Sequence, residues 1–320
     1  MNVPVMYHVG TNNDMKGNDA FRGEPEAVDT LRILTFNLGL LGFKLKNRWR
    51  MPVDAHSGER LAAAPRLLSS LEADIIALQE VYSPTDREVL ARAMAELYPF
   101  QAGSPKMRSL VGNGLMLLSR FPILHSAFMP CRGSPRWTLP FWKQGLLAVE
   151  LDLPSIGRTR LIDAHIAASV PFGDANSMAS KANRNREIDQ LLSAANAGEV
   201  TAILAGDFNT SPAIHPEHYD RIISAGYVDA FVASNPPAAK DGFTWDCANP
   251  LNARGRFRHA PSQRIDHVFV RGGHSAPLKP VAAEIVLQDR VVQTASGQLI
   301  PLSDHYGLLV SLALSPQRRD

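Results

Sequence analysis

Polar residues that could carry out phosphate chemistry follow several short apolar runs in this sequence. Asn37 ends the first run, Glu80 the second and His165 a later one. Each has an ordinary structural explanation, because Asn favours turns, carboxylates often cap strands and a lone histidine is commonly structural. A carboxylate at the exit of a buried strand is also where a ligand for a hard cation such as Mg²⁺ would lie. Singly, these residues leave both interpretations open.

The segment Gly206-Asp207-Phe208-Asn209 is harder to explain by structure alone. Gly206 allows the backbone or a ligand to approach closely. Asp207 and Asn209 lie two residues apart, so in an extended chain their side chains point the same way. Such a pair can hold one water molecule and one phosphate oxygen together, which favours a role in phosphate hydrolysis.

Two later segments supply a carboxylate and a histidine that could work as a pair. Asp266 can support a histidine from elsewhere in the chain, and His305 is the natural candidate. A carboxylate raises the pKa of an imidazole and fixes its tautomer, which suits general acid–base catalysis. The sequence has no Gly-rich phosphate loop between a strand and a helix and no serine nucleophile elbow. A covalent serine or cysteine mechanism therefore lacks its local signature.

Strands and helices must bring these scattered residues together. Apolar spacing of three and four residues predicts helices over Glu59–Leu71, Pro84–Leu97 and Lys181–Ala195. Short runs rich in Ile, Leu and Val predict strands over Leu31–Leu38, Asp74–Glu80, Gly114–Ser119, Leu146–Leu151, Arg160–His165, Thr201–Asp207, Arg264–Val270, Ala282–Leu287 and Tyr306–Leu314. Strands outnumber helices and their connections are mixed, which predicts a single α/β sandwich of two packed sheets with helices outside.

The order of these motifs resembles that of the DNase I-like superfamily, also called the endonuclease/exonuclease/phosphatase superfamily. The matching pieces are Phe36-Asn37, Leu78-Gln79-Glu80, Gly206-Asp207-Phe208-Asn209, Ile265-Asp266-His267 and Ser303-Asp304-His305. The resemblance spans residues 31–314. It implies a DNase I-like, four-layer α/β sandwich of two mixed β-sheets flanked by helices, and a metal-dependent phosphodiesterase activity.

Within that superfamily the chain looks most like the neutral sphingomyelinases. The segments that carry this likeness are Val111–Leu115, Ser119–Ile123, Lys143–Leu147, Thr244–Asp246, Asn249–Leu251, Arg264–Val268 and Gly297–His305. There are two departures at the site: Ala164 stands where the histidine motif commonly has Thr, and His267 stands where those enzymes have Tyr. The missing Thr hydroxyl leaves open what supports His165.

The resemblance implies a role for each of the polar residues. Asn37 and Glu80 would hold Mg²⁺, or alternatively Mn²⁺, and Asp304 would add a second metal contact or position His305. Either His305, oriented by Asp266, or Asp207 would take a proton from the attacking water. Asn209 and His165 would donate hydrogen bonds to the charge that develops on the phosphate. The residues expected to contact the substrate are Asn113, Lys143, Trp245 and Asn249.

The balance of charge bears on the substrate. The chain has 33 Lys and Arg against 31 Asp and Glu, and this near-neutrality counts against a nucleic-acid enzyme, which needs a basic excess. The resemblance to the neutral sphingomyelinases implies a phospholipid headgroup, as in a sphingomyelinase or phospholipase C. The alternatives are a Mg²⁺-dependent endo- or exonuclease of the same superfamily and a non-catalytic binding module.

Two surface segments bear on the same choice. Trp137, Leu139, Phe141 and Trp142 form an aromatic stretch that would either contact a membrane interface, where Trp is favoured, or cover the end of a sheet. Basic runs at Lys44–Arg50 and Arg254–Arg264 would either meet substrate phosphates or lie in solvated loops.

The remaining features of the 320-residue chain predict its organisation and location. Residues 1–30 are polar and aperiodic, which predicts an irregular arm before one catalytic domain over residues 31–316. There is no signal-peptide pattern and no apolar run of about 18 residues, so we expect a cytoplasmic monomer; secretion without a signal is the alternative. We expect Cys131 and Cys247 to be two thiols, with one disulfide as the alternative.

Overall fold

Two mixed β-sheets packed face to face form the centre of the molecule, and helices lie against their outer faces. The computed structural model describes residues 7–8, 30–40, 42–45, 49–52, 55–103, 113–131, 144–168, 176–198, 200–235, 242–253, 258–273 and 278–314. Its layers confirm the predicted four-layer α/β sandwich.

The elements are as follows. The helices are α1 (Ser57–Ser69), α2 (Pro84–Ala93), α3 (Met178–Ala195), α4 (Pro216–Ser224) and α5 (Ala230–Ser234). The strands are β1 (Tyr7–His8), β2 (Thr30–Asn37), β3 (Gly42–Leu45), β4 (Trp49–Pro52), β5 (Ile75–Gln79), β6 (Phe100–Gly103), β7 (Met116–Ser119), β8 (Ile123–Pro130), β9 (Gly145–Leu153), β10 (Gly157–His165), β11 (Thr201–Asp207), β12 (Val228–Asp229), β13 (Asp266–Arg271), β14 (Leu278–Val286), β15 (Val292–Gln293), β16 (Leu299–Ile300) and β17 (Gly307–Leu314).

The strands form two large sheets and two short hairpins. One sheet has the order β1-β8-β9-β10-β11-β13-β12 and the other the order β14-β17-β2-β5-β7-β6. In each sheet one central pair is parallel, β10 with β11 and β2 with β5, and the other described pairs are antiparallel. All nine predicted strands and all three predicted helices are present. Strand β11 has the predicted bounds, and the others have one or both ends shifted: β14 begins at Leu278 rather than Ala282, and α2 ends at Ala93 rather than Leu97.

The irregular arm predicted for residues 1–30 includes one short paired segment. Tyr7–His8 lies antiparallel to β8, at the edge of the seven-stranded sheet. Residues 9–29 lie outside the described part of the chain. Both cysteines are free thiols, Cys131 buried and Cys247 exposed. No helix among the described residues is long and apolar enough to cross a membrane.

Alternation along the strands sorts their side chains into layers. Leu31 and Ile33 of β2 point into the core between the sheets, whereas Leu34 and Phe36 pack under α1 and α2. In β11, Ile203 likewise enters the inner core. Successive side chains on a strand take opposite faces, so the polar residues that follow at the ends of β2 and β11 also point into the space between the sheets.

A buried polar pair crosses between the two sheets just behind those strand ends. The Gln79 Nε2 atom donates to Asp163 Oδ1 at 2.7 Å and to Thr35 Oγ1 at 3.2 Å. Asp163 is fully buried, its Oδ2 atom has no partner among the described residues, and burial raises the pKa of its carboxyl well above the usual range. A carboxyl so enclosed is held in its neutral form.

This enclosure makes the stability of the fold depend on pH through Asp163. The pKa of Asp163 is higher in the folded than in the unfolded state. Its contribution to the free energy of unfolding is therefore complete at pH values below the unfolded-state pKa. That contribution is lost as pH rises towards the folded pKa, at up to about 1.4 kcal/mol per pH unit. We expect Asp163→Asn to keep the Gln79 contact and to become progressively more stable than the wild type as pH rises from 5 to 8, measured by urea unfolding.

Asp152, which is exposed on β9, provides the matched control, because Asp152→Asn should leave the pH dependence of unfolding unchanged. A stability difference between Asp163→Asn and wild type that stays constant across this pH range would show that Asp163 is not buried as a neutral acid.

Candidate active site

Polar residues from both sheets meet at one rim of the sandwich. In the seven-stranded sheet His165 pairs with Asp207, and Asp207 pairs with Asp266, so these three side chains lie in a row. In the other sheet Asn37, the last residue of β2, stands opposite Gln79 of the parallel strand β5. Glu80 follows Gln79 directly in the chain. The topology thus gathers residues from the first to the last part of the fold at one edge.

Gly206 explains how β10 and β11 come together at this rim. Its φ is +144°, and a Cβ atom at this position would lie 2.0 Å from the Ala164 carbonyl oxygen. A side chain is therefore excluded by the neighbouring strand. The close approach inferred from the sequence is one of backbone to backbone.

The side chains at the rim are in mutual contact. Asn37 Nδ2 donates to Glu80 Oε1 at 3.3 Å and to Asp207 Oδ2 at 3.0 Å. His165 Nε2 lies 3.7 Å from Glu80 Oε1 and 3.6 Å from Asp207 Oδ2. His165 itself is buried, and burial, more than any neighbouring charge, lowers its pKa. Four residues predicted from separate motifs therefore form one cluster.

His305 and Asp266 form the carboxylate–imidazole pair expected from the sequence. His305 Nδ1 lies 2.9 Å from Asp266 Oδ2, and His305 Nε2 lies 3.9 Å from Asp207 Oδ2. Burial opposes the charge of His305, but the attraction of Asp266, Asp207 and Asp304 outweighs it and raises its pKa well above the ordinary value. The imidazole is thereby oriented with Nε2 towards the cluster and held as a proton carrier.

Burial also shifts the two carboxylates at the centre. The pKa of Glu80 is raised to about 7, first by burial and then by the negative charge of Asp304. The pKa of Asp207 is raised to about 6, first by burial and then by Asp266. Both groups would therefore change protonation in the neutral to weakly acidic range, and a bound cation would favour their charged forms.

The donor set at the rim fits a divalent cation. Asp207, Asp266 and His305 each offer a ligand atom within 4.8 Å of the others and form a possible metal site. Asp266 Oδ1 is buried without a partner among the described residues. Asp266 Oδ2 already bonds His305, which leaves Asp266 Oδ1 as the oxygen through which Asp266 would bind a cation such as Mg²⁺, which prefers oxygen ligands.

Asn37 faces this cluster with its amide nitrogen. Its Oδ1 atom accepts from the Gly39 N–H at 3.0 Å, which leaves Nδ2 to donate to the carboxylates. Ligation of a cation through Oδ1 would require the amide to turn. Its part as a metal ligand stays a prediction, whereas the structure gives it the part of a hydrogen-bond donor to Glu80 and Asp207.

Arg60 supports the rim and was not identified from the sequence. This buried residue of α1 donates from its Nη1 atom to the carbonyl oxygens of Leu38, at 3.1 Å, and Leu302, at 3.3 Å, and from its Nη2 atom to that of Gly39. It thus ties the segment after β2 to the segment before Ser303. The only signal was an arginine inside the buried stripe of a predicted helix, four residues before Ala64.

Ser303 and Thr244 hold the neighbouring backbone. Ser303 Oγ donates to the Asn37 carbonyl oxygen at 2.7 Å and accepts from His305 N–H at 3.2 Å. Thr244 Oγ1 accepts from the backbone N–H groups of Ile265 and Asp266, both at 3.0 Å. These hydroxyls fix the segments that carry Asn37, His305 and Asp266.

Asn209 lies at the rim with its side chain bound to backbone. It has a left-handed φ of +46°, which Asn tolerates better than most residues. Its Nδ2 atom donates to the Ile166 carbonyl oxygen at 2.8 Å, and its N–H donates to Asp207 Oδ1 at 2.9 Å. The structure thus gives Asn209 a role in shaping the turn after β11, and its contact with phosphate stays a prediction.

The predicted substrate contacts have different surroundings. Asn113 is buried next to Gly114, whose carbonyl oxygen accepts from Val81 N–H, and its Nδ2 atom has no partner among the described residues. Trp245 forms a backbone bridge with His305. Asn249 is buried, and its Nδ2 donates to the Ser303 carbonyl at 2.9 Å, which is a structural contact. Lys143 lies outside the described residues.

The two kinds of surface segment are only partly described. The aromatic stretch Trp137–Trp142 lies outside the described residues, as do Lys46, Arg48, Arg254 and Arg256. Lys44 and Arg50 stand opposite each other in the β3–β4 hairpin. Arg264 Nη1 lies 2.7 Å from Asp229 Oδ2, so it is engaged in a partly buried ion pair.

Comparison with known proteins agrees with this geometry. The chain is 30% identical over 222 residues to an inositol phosphosphingolipids phospholipase C of Schizosaccharomyces pombe, covering 66% of this chain and 48% of that one. It is 22% identical over 320 residues to sphingomyelinase C 2 of Leptospira interrogans, covering 92% of this chain and 49% of that one. The chain spans about half to three fifths of the length of the curated relatives it matches.

Solved structures share the fold at low identity. The beta toxin of Staphylococcus aureus superposes with a TM-score of 0.67 at 16% identity, covering 88% of this chain and 99% of that one. A variant of the same toxin was solved with bound magnesium ions. TDP2 of Caenorhabditis elegans superposes with a TM-score of 0.65 at 19% identity, covering 89% of this chain and 75% of that one.

The family model that matches the chain extends from residue 34 to residue 305 and thus includes every element that contributes to the rim. The chain belongs to the Endonuclease/Exonuclease/phosphatase family.

Proposed function

We propose that this protein is a metal-dependent phosphodiesterase that hydrolyses the headgroup phosphodiester of a phospholipid, in the manner of a sphingomyelinase or phospholipase C. The observation that carries the proposal is the convergence of Glu80, His165, Asp207 and the His305–Asp266 pair on one rim. A lipid substrate is supported by the names of the sequence relatives, which act on sphingolipids, and by the balanced charge of the chain.

The carboxylates would hold Mg²⁺, or alternatively Mn²⁺. Glu80 and Asp304 would supply oxygen ligands, and Asn37 would either join them or continue to orient Glu80 and Asp207. When bound, such an ion would polarise the phosphate and stabilise charge on the leaving oxygen.

The remaining residues would manage protons and charge. Asp207 accepts bonds from Asn37 and Asn209, and in its ionised form it is the group placed to take a proton from the attacking water. His305 carries a proton because Asp266 raises its pKa, so its Nε2 atom would donate to the phosphate. His165, which is neutral because burial lowers its pKa, would donate a further hydrogen bond there.

The catalytic domain proposed here is residues 31–316, acting as a cytoplasmic monomer that contacts the membrane peripherally to reach its lipid. The nuclease alternative has the same chemistry at the rim and differs in what flanks the phosphate, so it is an outcome of the experiment that follows.

A substrate panel tests the proposal. Hydrolysis of sphingomyelin, phosphatidylcholine, plasmid DNA and abasic DNA would be measured with Mg²⁺ and with EDTA. We expect Mg²⁺-dependent release of a phosphorylated headgroup and no cleavage of either DNA, because a nuclease needs a broad basic face. Cleavage of DNA without lipid turnover would replace the lipid assignment by a nuclease, and turnover that persists in EDTA would refute the metal requirement.

Substitutions at the rim test the proton carriers. Asp207→Ala and His305→Ala should each lower kcat by roughly 10²–10⁴-fold, the usual contribution of a general base or acid, while thermal unfolding shows a folded protein. Asp220→Ala and His125→Ala are matched controls because both residues are exposed, and they should retain full activity. Unchanged kcat in either rim variant would remove that residue from the mechanism.

The raised pKa of Glu80 predicts how metal affinity depends on pH. Below about pH 7 a proton competes with the cation for this carboxyl, so the apparent Mg²⁺ affinity should rise as pH increases from 6 to 8 and then level off. Isothermal titration calorimetry would measure the Mg²⁺ affinity at each pH. Glu80→Gln should bind Mg²⁺ more weakly with a flatter pH dependence, whereas Glu96→Gln, at an exposed position, should match wild type. Equal affinities of Glu80→Gln and wild type would contradict this site.

A further inference from the structure

His267 lies next to Asp266 in β13 but on the opposite face of the sheet. Adjacent residues of a strand point to opposite faces, so Asp266 enters the rim while His267 packs beneath it. His267 is fully buried and stacks on Phe269, with ring centroids 5.0 Å apart. It plays no part in the chemistry proposed above, and its polar atoms must still find partners in an apolar layer.

The partners of His267 fix its tautomer. Its Nε2 atom lies 2.8 Å from the Thr210 carbonyl oxygen, which can only accept a hydrogen bond. Its Nδ1 atom lies 2.9 Å from Arg264 Nη1, which can only donate. Asp229 Oδ2 is also near Nδ1, at 3.6 Å, but the closer arginine N–H occupies that lone pair. In this arrangement Nε2 carries the proton that is donated to Thr210, and Nδ1 accepts from Arg264.

Arg264 is itself held in place for this task. Its Nη1 atom is 2.7 Å from Asp229 Oδ2, and the same oxygen accepts from Tyr219 OH at 2.9 Å. Asp229 Oδ1 in turn caps α5 by accepting from Phe231 N–H at 2.9 Å. The arginine is thus anchored by Asp229 through the same Nη1 atom that contacts His267, and its position determines which ring nitrogen accepts a hydrogen bond.

The carbonyl that His267 binds belongs to the turn that follows Asp207. Within that turn Asn209 has a left-handed backbone and bonds Ile166 O and Asp207 Oδ1. Phe208 N–H donates to the carbonyl oxygen of Ile265, the residue directly before β13, at 2.9 Å. The Thr210 carbonyl is a second point at which the turn is tied to this segment, and the only one of the two that depends on a side chain.

We propose that His267 is a positioning residue for the proposed phosphodiesterase reaction. As an Nε2–H donor to Thr210, it holds the turn that follows Asp207 against β13, the strand whose Asp266 orients His305. One dipeptide, Asp266-His267, thereby sets the relative placement of the two proton carriers from opposite faces of the sheet. The kinetic consequence of this inference rests on the proposed function. The hydrogen bond between His267 and Thr210 does not depend on it.

Two variants test the kinetic part. His267→Phe keeps an aromatic ring for the stack on Phe269 but removes the donor, and His267→Gln replaces the ring by an amide that offers an N–H at similar reach. We expect kcat of His267→Phe to fall about 10- to 100-fold, as when reacting groups are misplaced, with little change in KM, and His267→Gln to recover most of the loss. A loss of activity through weakened packing alone would not be restored by Gln.

A spectroscopic measurement on the wild type tests the hydrogen bond without reference to activity. Long-range ¹H–¹⁵N NMR of protein labelled at histidine, with the His267 signal assigned from its absence in His267→Gln, should show the proton on Nε2 and an unprotonated Nδ1. A proton on Nδ1, or on both nitrogens, would overturn the proposal. So would a folded His267→Phe with wild-type kcat, or a folded His267→Gln as impaired as the Phe variant. If the wild type cleaves no phosphodiester, the proposed function fails, and the NMR result still decides the hydrogen bond.

Discussion

The whole arrangement depends on one constraint: the buried carboxylates at the rim must be stabilised by hydrogen-bond donors or cations. Carboxylates enclosed between apolar sheets are costly unless donors or cations lie beside them. Asn37 donates to both Glu80 and Asp207, and His305 donates to Asp266. Each partner comes from a different strand or from the segment next to one, so the contacts that make the charges tolerable also fix the two sheets relative to each other.

Sequence reasoning succeeded where side-chain type and strand periodicity were enough. Apolar runs identified the central strands, and a polar residue at the end of such a run was predicted to lie at a sheet edge, as Asn37 and Asp207 do. Strand β8 was missed because His125 and Ser126 interrupt its apolar residues and its first half is partly exposed, which hides the apolar signal. Helix α4 was missed because it is short and begins at a proline after an uncapped His215.

The supporting residues could not be predicted because their partners are backbone atoms. Arg60 and Ser303 bind carbonyl groups of distant segments, and carbonyl positions are set by the tertiary fold and leave no trace in residue type. Asn249 has a contact of the same kind, because its amide donates to the Ser303 carbonyl, and its contact with the substrate stays a prediction. Polar residue types show where chemistry is possible, and the fold decides which of them are already occupied.

Unoccupied polar atoms at the rim therefore carry information of their own. Among the described residues, His165 Nδ1, Asp266 Oδ1 and Asn113 Nδ2 are buried without partners, and an unsatisfied buried group costs about 1–3 kcal/mol. His165 and Asp266 belong to the cluster around Glu80 and Asp207. A missing partner alone does not mark a ligand site, because Asn183 Oδ1 of α3 and Ser234 Oγ of α5 are also buried without partners among the described residues. Asp266 Oδ1 differs in belonging to the possible metal site, where a bound cation would supply the missing partner and offset the buried negative charge.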